Sequence, residues 1–249
     1  MKARFVTAMG ILIFGATSAF AGPTNLSFGF GGSDQTLGTS ASYTSGSATI
    51  TAFGFECSAS DSTSTATLSG CAASALYQKN DGGAEVGLGL AGETDHEIGY
   101  DGANADYVMG LDLSNLLSLG VRSITLTFGS VQPGEAFAAL GYGSNPFGAS
   151  SFALTNTKAW CGFQTAGCTY NGDVVSATFS LNSQDDFLVL MSPCGASSVT
   201  TTGNCGSNVT LGSLSGTSAT PEPGTIALFV TGLAMLGFAT RKRWATQRT

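Results

Sequence analysis

Apolar and polar residues alternate with a period of two along many short stretches of this chain. The clearest stretches are 48–55 (ATITAFGF), 123–128 (SITLTF) and 174–181 (VVSATFSL). This alternation is typical of β-strands that bury one face. Together with less regular stretches of the same kind, it predicts strands at 25–30, 48–55, 73–79, 84–90, 107–113, 123–128, 136–142, 174–181 and 187–191.

Turn-forming residues separate these stretches, for example Asn80-Asp81-Gly82-Gly83 and Pro133-Gly134. One helical turn is expected at 113–119. Nine or ten short strands without the long crossovers of a parallel sheet, and without a repeat of 20–50 residues, predict an all-β domain. The expected architecture is a β-sandwich or jelly roll.

The N-terminal end departs from this pattern. Lys2 and Arg4 precede an apolar stretch, and Ala19-Phe20-Ala21 follows with small residues at the two outer positions. A basic start, an apolar centre and an A-x-A site are the features of a secretory signal peptide. Residues 1–21 are therefore expected to be removed on export, with cleavage after Ala21.

The C-terminal end has three parts in order. The motif Pro221-Glu222-Pro223-Gly224 precedes an uncharged apolar run at 225–240, and the basic residues Arg241, Lys242 and Arg243 follow it. As a helix the run would span roughly 24 Å, somewhat less than the ~30 Å hydrocarbon core of a bilayer. A membrane helix with a basic cytoplasmic end is predicted, and by itself it would also fit an ordinary C-terminal anchor.

This order of motif, apolar helix and basic end resembles the PEP-CTERM sorting signal of exosortase-sorted proteins of Gram-negative bacteria. The resemblance implies that an exosortase in the membrane processes the chain near Pro221–Pro223. Residues 77–145 also resemble a recurring secreted β-domain of such proteins, through NDGGAEVGLGL, TDHEIG, VMGLDLSNL and SITLTFGSVQPGEAFAALGYGSN. That second resemblance implies a β-sandwich and no particular activity.

Four segments follow from these signals: a signal peptide at 1–21, a β-sandwich domain at 22–205, a flexible Gly/Ser/Thr stalk at 206–220 and the sorting signal at 221–249. Between the two ends the chain has three basic and fifteen acidic side chains, a net charge of −12. A surface this acidic repels phosphate backbones, so nucleic-acid binding is not expected.

Six cysteines lie in the part of the chain that is expected to be exported. An oxidising compartment favours disulfides, and neither a C-x-x-C pair nor a second histidine is present to indicate zinc. Six cysteines allow fifteen pairings. We expect neighbours in the sequence to pair, which gives Cys57–Cys71, Cys161–Cys168 and Cys194–Cys205.

Eight carboxylates fall between Asp81 and Asp112. Calcium binds six to eight oxygen ligands, so a calcium site is one hypothesis, although no EF-hand spacing occurs. If residues 93–97 formed a strand, the side chains of Glu93, Asp95 and Glu97 would lie on the same face of that strand. The alternative is a solvated acidic edge that discourages aggregation. The tentative ligands are Asp81, Glu85, Glu93, Asp95 and Glu97.

Catalytic motifs are weak. The segment 87–92 matches G-x-G-x-x-G, but an acidic stretch follows where a dinucleotide site needs a helix. These glycines are better explained by a flexible or close-packed strand. His96 is the only histidine, and no G-x-S-x-G elbow accompanies it. It is expected to be an exposed polar side chain, and no catalytic residue is predicted.

Aromatic residues cluster around the predicted Cys161–Cys168 loop. Exposed aromatic rings on a loop can stack on sugars, and the alternative is that they pack around the disulfide. The tentative ligand-binding residues are Tyr142, Trp160, Phe163 and Tyr170.

The sequence as a whole predicts a non-catalytic, exosortase-sorted protein of the cell surface or extracellular matrix, associated with exopolysaccharide. The alternative is an extracellular hydrolase or carbohydrate-binding module that acts on polysaccharide.

Overall fold

The computed structural model describes residues 24–58, 67–100, 105–132, 135–162, 167–192 and 208–218. It contains one short α-helix, α1 (Ser114–Ser118), and a 3₁₀ turn at Pro146–Gly148. The strands are β1 (Thr24–Gly29), β2 (Gln35–Thr36), β3 (Ser40–Ser45), β4 (Ala48–Ser58), β5 (Thr67–Ser74), β6 (Leu76–Asn80), β7 (Val86–Leu90), β8 (Ile98–Tyr100), β9 (Ala105–Asp112), β10 (Ser123–Gly129), β11 (Ala136–Tyr142), β12 (Ser151–Ala153), β13 (Thr157–Gly162), β14 (Thr169–Asn171), β15 (Val174–Ser180), β16 (Phe187–Met191) and β17 (Asn208–Ser218).

The strands form two antiparallel sheets, and β17 is the centre of the first. Strand β10 pairs with β17 along one side and connects it to β15 and then β14. On the other side, β17 pairs with β1 through 213–218 and with β7 at Leu211. Strand β7 continues this side through β6 to β2. The first and last strands therefore close the domain, with Thr24 directly opposite Ser218.

The second sheet runs from β4 through β9, β16 and β11 to β13. The free side of β4 pairs with β3 in its first half and with β5 in its second half, and β12 extends β5. Strand β8 pairs with both β9 and β17, so it joins the two sheets at one corner.

The main core lies between the two sheets. Alternation along each strand places one side chain in two towards the opposite sheet, which is the arrangement predicted from the sequence. Phe128 of β10 stacks on Phe137 of β11 with ring centroids 3.9 Å apart, and each ring belongs to a different sheet. Both side chains are completely buried.

The centre of the second sheet, at β11 and β16, is buried on both faces. In β16, Leu188 and Leu190 join the main core, whereas Phe187, Val189 and Met191 join a second apolar cluster on the opposite face. The 3₁₀ turn, β12 and the Cys57–Cys71 disulfide contribute to this second cluster. Burial on both faces explains why the sequence of β16 (FLVLM) is apolar at every position.

The all-β prediction is confirmed, and each predicted strand overlaps a strand of the structure. The bounds of 136–142 and 187–191 agree at both ends, and the helical turn is present as α1. The predicted segment 73–79 is divided in the structure between the end of β5 and most of β6. Residues 31–46, where no strand was predicted, contain β2 and β3.

The flexible stalk predicted at 206–220 is wrong for residues 208–218. These residues form β17, which pairs with four other strands. Val209, Leu211 and Leu214 are buried in the main core. Three apolar residues among many Ser, Thr and Gly residues are enough for a central strand because neighbours on both sides satisfy its backbone hydrogen bonds.

Two of the predicted disulfides are present, Cys57–Cys71 and Cys161–Cys168. The third predicted pair, Cys194 and Cys205, lies outside the described residues, as do the signal peptide and the sorting signal. In the part of the chain that the structure describes, no helix is long and apolar enough to cross a membrane. Disulfides of this kind form and persist in oxidising compartments.

Candidate functional site

An acidic cleft of about 400 Å³ opens at the corner where β17 meets β7 and β8. Five separate chain segments contribute to it: the end of β6, the turn that follows it, the loop between β7 and β8, the segment after β10 and the start of β17. The lining residues are Lys79, Asp81, Glu85, Thr94, Asp95, His96, Glu97, Ser130, Gln132 and Asn208.

Lys79 occupies the centre of this cleft. Its Nζ lies 2.6 Å from Glu97 Oε1, 3.3 Å from Glu85 and 3.5 Å from Asp81. The side chains of Lys79 and Glu97 are 7% and 2% exposed, whereas Asp81 and Glu85 are much more open to solvent. One buried ion pair thus lies at the bottom of the cleft, and two further carboxylates surround it nearer the surface.

The turn between β6 and β7 positions the two outer carboxylates. Gly82 and Gly83 adopt positive φ angles of 87° and 61°, and the amide of Asp81 donates to the carbonyl of Glu85 over 3.2 Å. The turn predicted from Asn80-Asp81-Gly82-Gly83 therefore helps to form the cleft. It folds the chain back so that Asp81 and Glu85 reach the same ammonium group.

Glu93 organises the loop that carries Glu97. The Glu93 Oε2 atom accepts hydrogen bonds from the amides of Asp95 (2.7 Å) and Glu97 (3.0 Å). The loop is a series of turns rather than a strand, so the hypothesis of three acids on one strand face is wrong here. Glu93 and Glu97 are buried, and Asp95 is exposed. Asp95 instead accepts a hydrogen bond from the side-chain amide of Asn208.

The Gly-Leu-Gly strand allows this loop to pack closely. A Cβ atom on Gly89 would collide with the His96 carbonyl oxygen, and one on Gly87 would lie 2.6 Å from the Leu211 carbonyl oxygen. Both obstacles are backbone atoms, which cannot rotate away. The structure therefore supports the close-packed-strand explanation of the glycines at 87 and 89.

Backbone strain is concentrated at the cleft. Among the described residues, three that are not glycine have positive φ, and two of them, His96 (60°) and Ser130 (61°), line the cleft. Strained residues persist only where the surrounding structure fixes them, and they are frequent at functional sites. The His96 ring also stacks on Tyr77 at a centroid distance of 4.0 Å and is half-buried, so the expectation of a fully exposed histidine is wrong.

Burial and charge shift the pKa values of the central pair. Burial alone would lower the pKa of Lys79, but its hydrogen bond to Glu97 and the charges of Glu97 and Glu85 raise it overall. Lys79 therefore remains protonated. Burial raises the pKa of the Glu97 carboxyl, and the nearby Lys79 ammonium opposes that shift. Burial also raises the pKa of Glu93, against the two amide hydrogen bonds that stabilise its charged form.

Glu135 lies beside the cleft. Its Oε2 atom accepts a hydrogen bond from the Gln132 amide over 2.6 Å, and burial raises its pKa to about 7. The negative charge of Glu97 contributes to the same increase. The protonation of Glu135 therefore depends on the charge of Glu97 inside the cleft.

The second carboxylate oxygen of Glu97 has an unmet hydrogen-bonding capacity. Oε2 is buried and has no hydrogen-bond partner of acceptable geometry among the described residues. The Ser130 hydroxyl is close enough to lower the pKa of Glu97, but it does not satisfy Oε2 by distance and angle. A donor group that entered the cleft would find a charged acceptor at its base.

The five tentative calcium ligands are only partly brought together. Asp81, Glu85 and Glu97 converge, but they converge on Lys79, while Glu93 bonds to its own loop and Asp95 to Asn208. No group of three or more His, Cys, Asp or Glu side chains in the described part of the chain is arranged to hold a metal ion. The calcium hypothesis stays a prediction, to be tested by titration.

The tentative sugar-binding aromatics do not form a single platform. Tyr142 and Trp160 are half-buried against the second apolar cluster, and the Tyr142 hydroxyl donates to the Ala153 carbonyl over 2.8 Å. Tyr170 packs against the main core, next to Cys168. Phe163 lies outside the described residues. The contacts that are described favour packing over ligand stacking.

The sequence reasoning missed five residues of the cleft: Lys79, Thr94, Ser130, Gln132 and Asn208. Lys79 was the one that could have been found. It is one of only three basic residues between the two ends of the chain, and it lies just before the longest acidic stretch. Ser130, Gln132 and Asn208 come from distant segments, and only the pairing of β17 brings them there.

Comparison of the chain with models of protein families, with curated proteins and with solved structures gives no match.

Proposed function

We propose that this protein is an exported, non-catalytic component of the cell surface or extracellular matrix of a Gram-negative bacterium, processed by an exosortase and associated with exopolysaccharide. The observation that carries the proposal is the organisation of the chain. A single disulfide-bonded β-domain, a β-sandwich in this proposal, lies between a predicted signal peptide and a predicted sorting signal.

The closure of the domain supports this arrangement. Thr24 lies opposite Ser218 in the β1–β17 ladder, so both predicted processing segments join the domain at the same end of one sheet. Neither segment is attached in the middle of a strand. Cleavage after Ala21 and near Pro221–Pro223 would therefore leave the β1–β17 pairing intact.

The chemistry of the cleft supports a binding role. Lys79 is held by three carboxylates, which makes it a poor nucleophile or base because its amine stays protonated. The base of the cleft presents Glu97 Oε2 as an acceptor, and the rim adds carboxylates and amides. Groups of this kind suit the hydroxyl and amine donors of a saccharide.

Mass spectrometry of the protein recovered from the cell surface tests the sorting. We expect peptides beginning at Gly22 and none from Thr225 onward. A Pro221→Ala/Pro223→Ala variant should retain the tail and remain in the membrane fraction. Recovery of the intact Arg241–Thr249 end in the surface form of the wild type would leave a plain anchor and remove the exosortase from the proposal.

An extracellular hydrolase acting on polysaccharide is the second candidate, and Glu135 is the observation that favours it. A carboxyl group with a pKa of about 7 is suited to donate a proton near neutral pH. Release of reducing sugar from polysaccharide by the wild type, abolished in Glu135→Gln, would favour this candidate. The absence of release from every polysaccharide that the protein binds would favour the non-catalytic function.

A further inference from the structure

The outward side of the first sheet carries an array of hydroxyl groups. We define the hydroxyl face as the outward positions of β14, β15, β10, β17 and β1, which alternate with the core residues of these strands. Eleven of these fifteen residues are Ser or Thr, and all are exposed or half-buried: Asn25, Ser27, Gly29, Ser123, Thr125, Thr127, Thr169, Asn171, Val174, Ser176, Thr178, Ser180, Ser213, Ser215 and Thr217.

The hydroxyl groups stand in register across the strands. One row runs through Thr169, Ser176, Thr127 and Ser213, and the next runs through Thr178, Thr125, Ser215 and Ser27. Neighbouring strands in a sheet are ~4.8 Å apart, and alternate residues of one strand are ~6.8 Å apart. The face is thus a two-dimensional lattice of short polar side chains.

None of the fifteen positions is charged, although residues 22–220 carry a net charge of −12. Surfaces designed for solubility are given about 25–35% charged residues, and 10% of the residues in this chain are charged. The acids of this domain lie elsewhere, many of them around the cleft. The outward positions of these five neighbouring strands therefore carry no charge.

Hydrogen bonds within the array hold some of its side chains in place. Thr125 and Thr178 are joined through their hydroxyl oxygens at 2.7 Å, and Thr127 and Ser176 at 2.9 Å. Short side chains that are already fixed lose little conformational entropy when a ligand binds. A shallow groove of about 320 Å³ crosses this part of the face, and its lining includes Asn25, Ser123, Thr125, Thr178, Ser215 and Thr217.

We propose that the hydroxyl face is a docking surface for a neutral polysaccharide chain. Hydroxyl groups donate and accept hydrogen bonds, as the hydroxyl groups of a sugar polymer do. An anionic polymer would be repelled by the acidic domain, and a cationic one would be drawn to the carboxylates of the cleft. The inference rests on the proposed extracellular function and identifies a surface, separate from the cleft, that contacts a neutral polymer of the matrix.

Sedimentation with insoluble polysaccharides tests the inference on the processed protein purified from the surface of secreting cells. The probes are cellulose, β-1,3-glucan, mannan and chitin as neutral polymers and an alginate gel as the anionic comparison, each at 0.05 and 0.5 M NaCl. We expect retention on at least one neutral polymer that is insensitive to salt, and none on alginate. A Thr178→Glu/Ser215→Glu variant, which places two carboxylates on the groove, should bind at least tenfold more weakly.

The matched control is Ser40→Glu/Thr44→Glu, which adds the same charge at two exposed positions of β3 in the other sheet. It should bind as the wild type does. If the first variant fails to fold, judged by circular dichroism, Ser27→Glu/Thr217→Glu at the margin of the face replaces it.

The inference is overturned by the absence of retention on all four neutral polymers, by unchanged retention of the face variant, or by an equal loss in the control. Salt-sensitive retention also overturns it, because it would indicate binding by charge. The measurement uses purified protein, so its failure is distinct from a failure of the sorting experiment, which depends on the chain ends alone.

Discussion

The Nζ atom of Lys79 and the Oε1 atom of Glu97 lie 2.6 Å apart in the interior of the acidic cleft, and both side chains are less than a tenth exposed. They come from β6 and from the loop that precedes β8, 18 positions apart in the chain. This pair fixes the loop against the sheet. The Lys79 ammonium group also forms ion pairs with Asp81 and Glu85.

Replacement of Lys79 by Met is expected to destabilise the domain by about 3–5 kcal/mol, because it leaves the Glu97 carboxylate buried without its cation. Denaturant unfolding monitored by fluorescence measures the change. The double variant Lys79→Met/Glu97→Leu should recover much of the loss, since it removes both charges. If the double variant were no more stable than Lys79→Met, the ion pair would not be the cause.

Substitution of Gly89 by Ala should destabilise the domain by about 1–3 kcal/mol, because the new methyl group meets the His96 carbonyl and the backbone must shift. Gly29→Ala is the matched control. Gly29 also lies in a strand of the first sheet, but a Cβ atom there meets nothing within 4 Å. Thermal unfolding should separate the two variants. Equal melting temperatures would contradict the close packing of the 93–97 loop on β7.

Glu135 predicts a pH dependence of stability. Its pKa is about 7 in the folded protein and near 4.5 when unfolded, so the folded state binds the proton more tightly. The stability that this group contributes is fully present below about pH 4.5 and is lost as the pH rises through 7. Unfolding free energies measured from pH 4 to 8 should fall over this window.

In Glu135→Gln the fall should be smaller, because Glu93 and Glu97, whose pKa values are also raised, still titrate. Glu56→Gln, at an exposed position of β4 outside the cleft, is the control. A wild type and a Glu135→Gln variant with parallel stability curves would show that Glu135 titrates in its ordinary range.

Calcium titration distinguishes a metal site from a charge-compensated cluster. If several of the acids at 81–97 converged on a calcium ion, calcium would raise the melting temperature, and a solvated acidic edge would show no such effect. The structure shifts this expectation, because the Lys79 ammonium occupies the position where the nearest carboxylates converge. In the wild type we therefore expect calcium to stabilise no more than sodium chloride does at equal ionic strength.

The variants make this test decisive. Lys79→Gln frees the three carboxylates, so a calcium-specific increase should appear in that variant and disappear again with Asp81→Asn/Glu85→Gln added. A calcium-specific increase in the wild type that Asp95→Asn/Glu97→Gln abolishes would instead confirm the original hypothesis.

The sequence by itself determined the all-β class, most strand positions and two disulfides. Those features depend on local information. Alternation in 123–128 or 174–181 specifies a strand with one buried face, and a short separation between Cys161 and Cys168 favours their pairing. Strand β16 has no two-residue period in its sequence, because both of its faces are buried and every residue is apolar; a short apolar run was enough to indicate a strand there.

Only the tertiary structure decided what β17 is and where the cleft lies. Residues 208–218 are rich in Ser, Thr and Gly and resemble a linker, yet they form a central strand because β1, β7, β8 and β10 supply partners from distant parts of the chain. The same long-range pairing brings Asn208 and Gln132 to Lys79. The acids at 81–97 are close together in the sequence, but where their side chains lie in space depends on which strands pair. Local sequence patterns do not specify the pairing of distant strands.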